Sequence, residues 1–207
     1  MKSKNTAAVG KSAPDLNQRI ASRVRELRAA RGLSLDVLAS RSGVSRSMLS
    51  LIERGESSPT AVVLEKLASG LGVTLPSLFA GGAGAHDASS SPVSRHADQS
   101  QWQDPASGYI RRNISPAGIS QPMQIVEVHF PAGARVAFDN HLQGVRVHQQ
   151  IWVLGGTIEI TLGKERHRLH EGDCLAMLLD RPITFHNPTR KSTRYAVVIA
   201  SETSSRR

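Results

Sequence analysis

The stretch "VLASRSGVSRSMLSLIERGESSP" (residues 37–59) has the pattern of two short helices that meet at a glycine. Before that glycine, apolar residues recur at the spacing of one buried helix face: Leu35, Leu38 and Ala39. Gly43 suits the position after a helix end, where the backbone often needs a positive φ. Ser45 can then cap a second helix, because its hydroxyl accepts a hydrogen bond from a free amide of the first turn. With Met48, Leu49 and Ile52 as the expected buried face of that helix, the stretch predicts a helix-turn-helix.

The open side of the second helix carries hydroxyl and guanidinium groups, and no carboxylate occurs between Asp36 and Glu53. In the major groove an arginine can donate to guanine O6 and N7, and a serine can bond a base or a phosphate. The free amides at the start of the helix, near Ser45, also favour a phosphate. Glu53 is expected to pair with an arginine inside the domain. The pattern therefore predicts that this helix contacts DNA.

Residues 17–79 resemble the lambda-repressor-like (Cro/CI, or XRE) DNA-binding domain along their whole length, most specifically in "GVSRSMLSLIERG". The resemblance implies an all-α bundle of five helices. Many members begin the first helix of the motif with a glutamine that contacts phosphate. Leu35 and Asp36 stand there in this chain, so Ser34 or a backbone amide is expected to make that contact. The expected DNA-binding residues are Ser34, Arg41, Ser45, Arg46, Ser47, Ser50 and Arg54.

Caps and apolar spacing place the other helices. A first helix is expected from residue 17 to Ala30, with most of its arginines on the outer face: Arg19, Arg23, Arg25 and Arg28. Thr60 is the predicted N-cap of a fourth helix, and Pro76 opens a last short helix that ends near Phe79.

The charge of the 207-residue chain agrees with DNA binding. The formal net charge is +9, and residues 1–80 hold 12 Lys or Arg against 6 Asp or Glu, whereas residues 81–207 hold 14 against 11. Phosphate binding requires such an excess, although a solvated basic surface would give the same numbers. Cys174 is the single cysteine, and no apolar run is long enough to span a bilayer. We therefore expect a cytoplasmic protein with no membrane association, in which Cys174 is a buried thiol.

From Trp102 onward, short runs of β-branched and aromatic residues alternate with Gly, Pro and Asn. Regularly spaced short strands predict an all-β sandwich or barrel. Residues 101–200 resemble the cupin fold, a double-stranded β-helix barrel, since "VHQQIWVLGGTIEITLG" and "DRPITFHNPTRKSTRYAVVI" stand where cupins carry their two motifs.

Composition and these patterns together divide the chain into five segments. They are a disordered tail (1–14), the helix-turn-helix DNA-binding domain (15–80), a flexible linker (81–100), a cupin-like sensor and dimerisation domain (101–201) and a second tail (202–207). The linker is small and polar, which predicts that the two domains move independently.

The resemblance also bears on metal binding. Metal-binding cupins place two histidines and a glutamate before the glycine that matches Gly156, and one more histidine on a later strand. Here the glutamate position falls on Gln149 and the last histidine position on Ile183, neither of which replaces those ligands. The paired histidine positions fall on Gln143 and Val145, or on Leu142 and Gly144. His141, His148 and His186 remain, and strand alternation turns the last two away from the ligand face, so we expect no metal and no cofactor.

What remains is an apolar barrel interior with a few polar groups, which suits a small ligand. The expected effector-binding residues are Gln149, Ile151, Met177, Ile183, Phe185 and Asn187. Gln149 and Asn187 could hydrogen-bond a ligand, or they could satisfy each other or the backbone in a filled core. Arg111 and Arg112 could add charge for an anionic ligand, but an exposed strand edge is expected for both.

The chain apart from its tails resembles helix-turn-helix regulators with cupin effector domains. The resemblance implies a homodimer, because two recognition helices about 34 Å apart can meet successive major grooves. We therefore expect a transcriptional regulator, not an enzyme, that binds a double-stranded DNA operator and an unknown small-molecule effector without a metal. One alternative is a metal-dependent cupin enzyme fused to a DNA-binding module. Another is a partner-binding protein whose helix-turn-helix no longer contacts DNA.

Overall fold

The computed structural model describes residues 16–79, 91–119, 122–140 and 145–203. Five helices are followed by two antiparallel β-sheets, so the predicted helical bundle and all-β domain are both confirmed. The predicted tail at 1–14 and residues 81–90 of the predicted linker lie outside the described residues. Each helix in the described parts of the chain is too short or too polar to cross a bilayer.

The helical domain consists of α1 (Leu16–Ala30), α2 (Leu35–Ser42), α3 (Arg46–Glu53), α4 (Ala61–Leu71) and α5 (Leu75–Phe79). The predicted caps are confirmed. Gly43 ends α2 with φ 66°, and the Met48 amide donates to the Ser45 hydroxyl at 3.3 Å at the start of α3. Thr60 caps α4 in the same way. Local sequence signals thus fix where the helices of the motif begin and end.

Two details of the helical domain differ from expectation. Met48 is exposed, because α3 has only eight residues and buries a narrow stripe that Met48 flanks, formed by Leu49, Ile52 and Glu53. Arg28 faces inward and donates from Nε and Nη2 to the two carboxylate oxygens of Glu53 at 2.6 and 2.7 Å. The predicted internal pairing of Glu53 is thereby confirmed.

The strands of the second domain are β1 (Gln101–Gln103), β2 (Ile110–Asn113), β3 (Met123–Phe130), β4 (Arg135–Phe138), β5 (Val145–Gly155), β6 (Thr157–Leu162), β7 (Glu165–His170), β8 (Cys174–Leu178), β9 (Ile183–His186) and β10 (Thr193–Thr203). They form a six-stranded sheet with the order β1-β2-β3-β10-β5-β8 and a four-stranded sheet with the order β4-β9-β6-β7. The two sheets enclose an apolar interior and form a cupin barrel.

The two domains pack against each other, which differs from the expected independent motion. The Phe79 ring at the end of α5 meets the Trp102 ring of β1 edge-on, with centroids 5.6 Å apart. The Ala61 amide at the start of α4 donates to Asp104 Oδ1 at 2.9 Å, and Asp104 is buried. An aromatic ring and a buried carboxylate therefore fix the helical domain to the mouth of the barrel.

Candidate functional site

The N-terminal half of α3 is open to solvent. Ser45, Arg46 and Ser47 are exposed, while Leu49 and Ile52 on the opposite side are buried in the helical domain. The face that was predicted to contact DNA is therefore accessible and is not packed against the protein interior. A duplex could approach this face without any rearrangement of the bundle.

Arg46 and Arg54 differ in how many hydrogen bonds and ion pairs they form with other side chains. Arg46 Nε lies 3.0 Å from Asp36 Oδ1, and both side chains are mostly exposed, so water or phosphate can compete for this pair. Arg54 donates from Nε and Nη2 to Glu56 at 2.8 Å in each case, and from Nη1 to the Ser50 hydroxyl. Arg46 is therefore the more available of the two.

The remaining predicted DNA-contacting residues lie on or beside α2. Ser34 is the N-cap of α2, where its hydroxyl accepts from the Val37 amide at 3.2 Å. A hydroxyl that accepts in this way keeps its own proton for a phosphate oxygen. Arg41 is exposed in the last turn of α2.

The barrel contains a cavity of about 90 Å³ whose wall comes from both domains. On the same scale one water needs about 10–15 Å³, so the cavity can hold a small molecule. Helix α4, the turn after it and α5 contribute Glu65, Ala68, Val73, Thr74, Leu75 and Pro76. The barrel contributes Tyr109, Arg111, Val136, Phe138, Val147 and Tyr195, among others.

Only part of the expected effector-binding set lines this cavity. Gln149, Ile183 and Phe185 lie on its wall, whereas Ile151 and Met177 are buried elsewhere in the barrel. Ile151 is fully buried within its sheet, and Met177 pairs with Gln149 in the neighbouring strand without reaching the cavity. Strand alternation predicts which face of the sheet a side chain lies on, but it does not predict how far the cavity extends along that face.

The expected ligand contact of Asn187 is wrong. Its amide nitrogen donates to three backbone carbonyls, those of Phe130, Pro131 and Lys191, at 2.8–3.3 Å. Its amide oxygen accepts from the backbone and hydroxyl of Thr189 at 3.0 and 2.8 Å. Asn187 therefore holds the turn between β9 and β10 and has no hydrogen-bonding capacity left for a ligand.

Arg111 lies on the cavity wall, whereas an exposed position was expected from the sequence. It is 7% exposed, not at an open strand edge, and its guanidinium carbon lies 4.8 Å from the centroid of the Phe79 ring. Its Nε and Nη2 find no hydrogen-bond acceptor among the residues that the structure describes, and we call these two nitrogens the free edge of Arg111. Burial lowers the pKa of Arg111 to about 10, so the guanidinium is charged at neutral pH.

Two buried tyrosines line the cavity with Arg111. Burial raises the pKa of the Tyr109 and Tyr195 hydroxyls well above the usual range, so both stay neutral. The two consecutive arginines of β2 point to opposite faces of the sheet. Arg111 lines the cavity, whereas Arg112 Nε lies 3.9 Å from Glu127 Oε2 on the other face. The period-2 alternation of a strand accounts for this difference, but two adjacent arginines gave no signal for which one points inward.

The metal positions implied by the cupin resemblance lack ligands where they can be described. Ile183 is buried on the cavity wall, His148 faces Glu202 at 3.8 Å and His186 faces Glu159 at 3.4 Å. In the described ranges, no three His, Cys, Asp or Glu side chains come together in a way that could hold a metal ion. His141, Leu142, Gln143 and Gly144 lie outside the described residues, and the side chain of Val145 is not described.

The outer face of the six-stranded sheet is apolar at several positions. Met123, Ile125 and Trp152 are exposed on it, and the large Trp152 side chain is 52% exposed. Cys174 is next to Trp152 in the adjacent strand and is also exposed. The predicted burial of the Cys174 thiol is therefore wrong, because the apolar residues around it belong to a solvent-facing sheet surface.

Comparisons with known proteins agree with this architecture. The family model described as "Helix-turn-helix" matches residues 24–78. The HTH-type transcriptional regulator SutR of Escherichia coli is 27% identical over 85% of this chain and 91% of its own length. The uncharacterized HTH-type transcriptional regulator y4dJ of Sinorhizobium fredii is 38% identical over 29% of this chain and 78% of its own length.

A solved structure covers both domains. The crystal structure of an HTH_3 family transcriptional regulator from Vibrio cholerae matches with a TM-score of 0.69 at 28% identity, over 89% of this chain and 96% of that chain. The matched helices include the open face of α3, and the matched length extends through the barrel. The chain therefore belongs to the DNA-binding helix-turn-helix transcriptional regulators of the XRE type, with a cupin domain after the DNA-binding domain.

Proposed function

We propose that the chain is a sequence-specific operator-binding regulator whose DNA affinity is controlled by a small-molecule effector in the barrel cavity. In this proposal the effector binds without a metal, the protein acts as a homodimer in the cytoplasm, and the barrel catalyses no reaction. The observation that carries the proposal is the shared wall of the cavity, to which α4, α5 and the barrel all contribute.

The shared wall gives the effector a physical route to the DNA-binding domain. A ligand changes DNA affinity only if it binds the DNA-competent and incompetent arrangements unequally. A molecule that contacts both Thr74 and Phe138 would respond to any change in the distance between the two domains. The sign of the effect depends on which arrangement closes the cavity more tightly.

The DNA contacts proposed here are those of the exposed side of α3. Ser45, Arg46 and Ser47 stand at its accessible N-terminal half, where the helix dipole and free amides also favour phosphate. Arg54 and Ser50 would have to exchange their contacts with each other and with Glu56 before they could bind DNA. We therefore place Arg46 and Ser47 first for base contacts.

The outer face of the six-stranded sheet supports the proposed homodimer. Exposed apolar side chains on β3 and β5, the two strands that flank β10, form a patch of the kind that mediates association. Self-association would place two recognition helices on one duplex. Light scattering of the purified protein tests this. The parent is expected to be dimeric and Trp152→Glu monomeric, and a monomeric parent would contradict the proposal.

The effector-control experiment needs an operator and a variant that fills the cavity. The operator is selected from genomic fragments, and its affinity is then measured for the parent and for Val136→Phe, whose larger ring occupies cavity space. We expect a shift of about fivefold or more, which is the usual range of allosteric coupling. Val93→Phe adds the same volume at an exposed site and serves as the control. Unchanged affinity of a folded Val136→Phe would contradict effector control.

Metal analysis tests the proposed absence of a metal-dependent reaction. The protein is purified without chelators and its iron, manganese and nickel contents are measured. Substoichiometric metal is expected, because Ile183 occupies the position of the last ligand. One equivalent of any of these metals would favour the enzyme alternative.

A further inference from the structure

We infer that the cavity binds a small organic acid whose carboxylate pairs with the free edge of Arg111; this inference rests on the proposed effector function. Arg111 lines a cavity that can hold a small molecule, and its side chain is more than nine-tenths buried, with almost no accessible surface on the free edge. A carboxylate in the cavity would pair with the free edge by drawing the guanidinium toward it. No acceptor for either nitrogen occurs in the described part of the chain.

The same chain shows how such an edge is used. Arg28 donates from Nε and Nη2 to both oxygens of Glu53, and Arg54 donates from the same two nitrogens to both oxygens of Glu56. These parallel hydrogen bonds match the spacing of the two carboxylate oxygens. Arg111 lines the cavity and has the same pair of donors without an acceptor, so the complementary group is a carboxylate.

Charge balance favours a single carboxylate over a phosphate. A buried charge is stable only when it is paired, and one guanidinium neutralises one negative charge. A dianionic phosphate would leave a second negative charge in an apolar space that also contains the buried Glu65 of α4. Glu65 has an interaction of its own, and its charge would direct the acid group away from α4.

The rest of the wall defines the body of the ligand. Val136, Phe138, Ile183 and Phe185 are apolar, so the part of the ligand beyond the carboxylate should be a short alkyl or aromatic group. The cavity has the capacity of about six to nine waters, which limits the ligand to a small acid. Neutral hydroxyls of Tyr109 and Tyr195 could donate further hydrogen bonds to the acid.

Arg111 also connects the ligand to the DNA-binding domain. Its guanidinium lies over the Phe79 ring of α5, which in turn contacts Trp102. A cation over an aromatic face is attracted by the ring. An acid that draws the guanidinium toward the cavity centre therefore acts on the ring that fixes α5 to the barrel.

Calorimetric titration of the full-length protein at pH 7 tests the inference. The probes are butyrate, isobutyrate and benzoate, each compared with its amide, together with inorganic phosphate. The acids are expected to bind, and the amides about tenfold to a hundredfold more weakly, because each loses the charge that strengthens its hydrogen bonds. Phosphate is expected not to bind. Arg111→Met should abolish acid binding, whereas Arg111→Lys, which keeps the charge without the fork, should weaken it.

Controls separate the inference from folding and from the proposed function. Arg112→Met changes the neighbouring arginine outside the cavity and should leave acid binding unchanged. The melting temperature of Arg111→Met shows whether that variant is folded. Equal binding of acids and amides, stronger binding of phosphate, or acid binding by folded Arg111→Met would each overturn the inference.

The failure of every probe would also overturn it. The effector proposal would then survive if Val136→Phe still changed operator affinity, and would fail with the inference if that variant behaved like the parent. The two failures are therefore distinguishable.

Discussion

Arg28 in the helical domain and Arg111 in the barrel are chemically identical side chains in opposite situations. Arg28 gives Nε and Nη2 to a buried glutamate, whereas the free edge of Arg111 meets no acceptor in the described residues. The first guanidinium completes an internal ion pair, and the second, on the cavity wall, keeps two donors without an acceptor. Both side chains are largely buried, so burial does not distinguish them. The presence of a carboxylate partner marks Arg28 as structural, and the lack of an acceptor marks Arg111 as a candidate for ligand binding.

The largest expected effect is the loss of the Arg28 partner. Glu53→Ala leaves a partly buried guanidinium uncompensated and should lower the free energy of unfolding by about 3 kcal/mol. Urea denaturation followed by the helical circular dichroism signal measures this. Glu56→Ala removes the partner of the exposed Arg54 and should cause no measurable change. Similar losses for the two variants would show that the Arg28 pair is not structural.

The next effect concerns DNA. Arg46→Ala and Ser47→Ala should each cost about 1–3 kcal/mol of binding to the selected operator and relax base choice at the contacted position. Operator and nonspecific affinities across a salt series measure both effects. Unchanged binding of every sequence by both variants would show that α3 is not the recognition helix.

Asp36→Asn sharpens the same test. It removes the partner of Arg46 at 3.0 Å and should strengthen DNA binding, because the guanidinium no longer has to leave an ion pair. The gain should be a few tenths of a kcal/mol to about 1 kcal/mol at low salt. Weaker DNA binding by this variant would mean that the pair orients Arg46 for contact.

A smaller effect is expected from Arg111→Met in the absence of ligand. The loss of the contact with Phe79 costs about 0.5–2 kcal/mol, and the removal of buried donors without acceptors returns about 1–3 kcal/mol. The two contributions nearly cancel, so the free energy of unfolding should fall by at most about 1 kcal/mol or rise. Arg28→Met, which strands Glu53, should clearly lower it. Matching losses in the two variants would remove the distinction between the two arginines.

The last variant, Gln149→Glu, is expected to have no effect on metal binding. Gln149→Glu restores the carboxylate of the cupin metal motif but should not restore metal binding, because Ile183 still occupies the last ligand position on the cavity wall. Titration with Zn²⁺ or Fe²⁺ measures this. Tight metal uptake by the single variant would show that the strands were aligned wrongly with the cupin motif.

Features that depend on neighbours along the chain could be predicted from the sequence. The caps at Ser45 and Thr60 and the left-handed Gly43 are set by local hydrogen bonds and backbone sterics, and the structure has all three. These signals lie within a few residues of the feature that they determine.

Features that depend on tertiary packing could not be predicted. Arg111 is buried because Phe79, more than thirty residues earlier, covers it, and nothing beside Arg111 in the sequence indicates that contact. Whether Asn187 contacts a ligand or the backbone could not be decided from the sequence, because two of its three backbone acceptors, the carbonyls of Phe130 and Pro131, lie more than fifty residues earlier. The contact between α5 and β1 was not predicted, because the composition of a linker carries no information about the surfaces of the two domains that it connects.

The position of Phe79 has a consequence for recombination between regulators of this kind. A barrel transplanted without α4 and α5 would lose one side of its cavity and the ring that lies under Arg111. The predicted linker (81–100) is therefore a poor crossover point, although its composition suggests a domain boundary. A chimera that exchanges only the segment through α3 would change the recognition helix and keep both sides of the cavity intact.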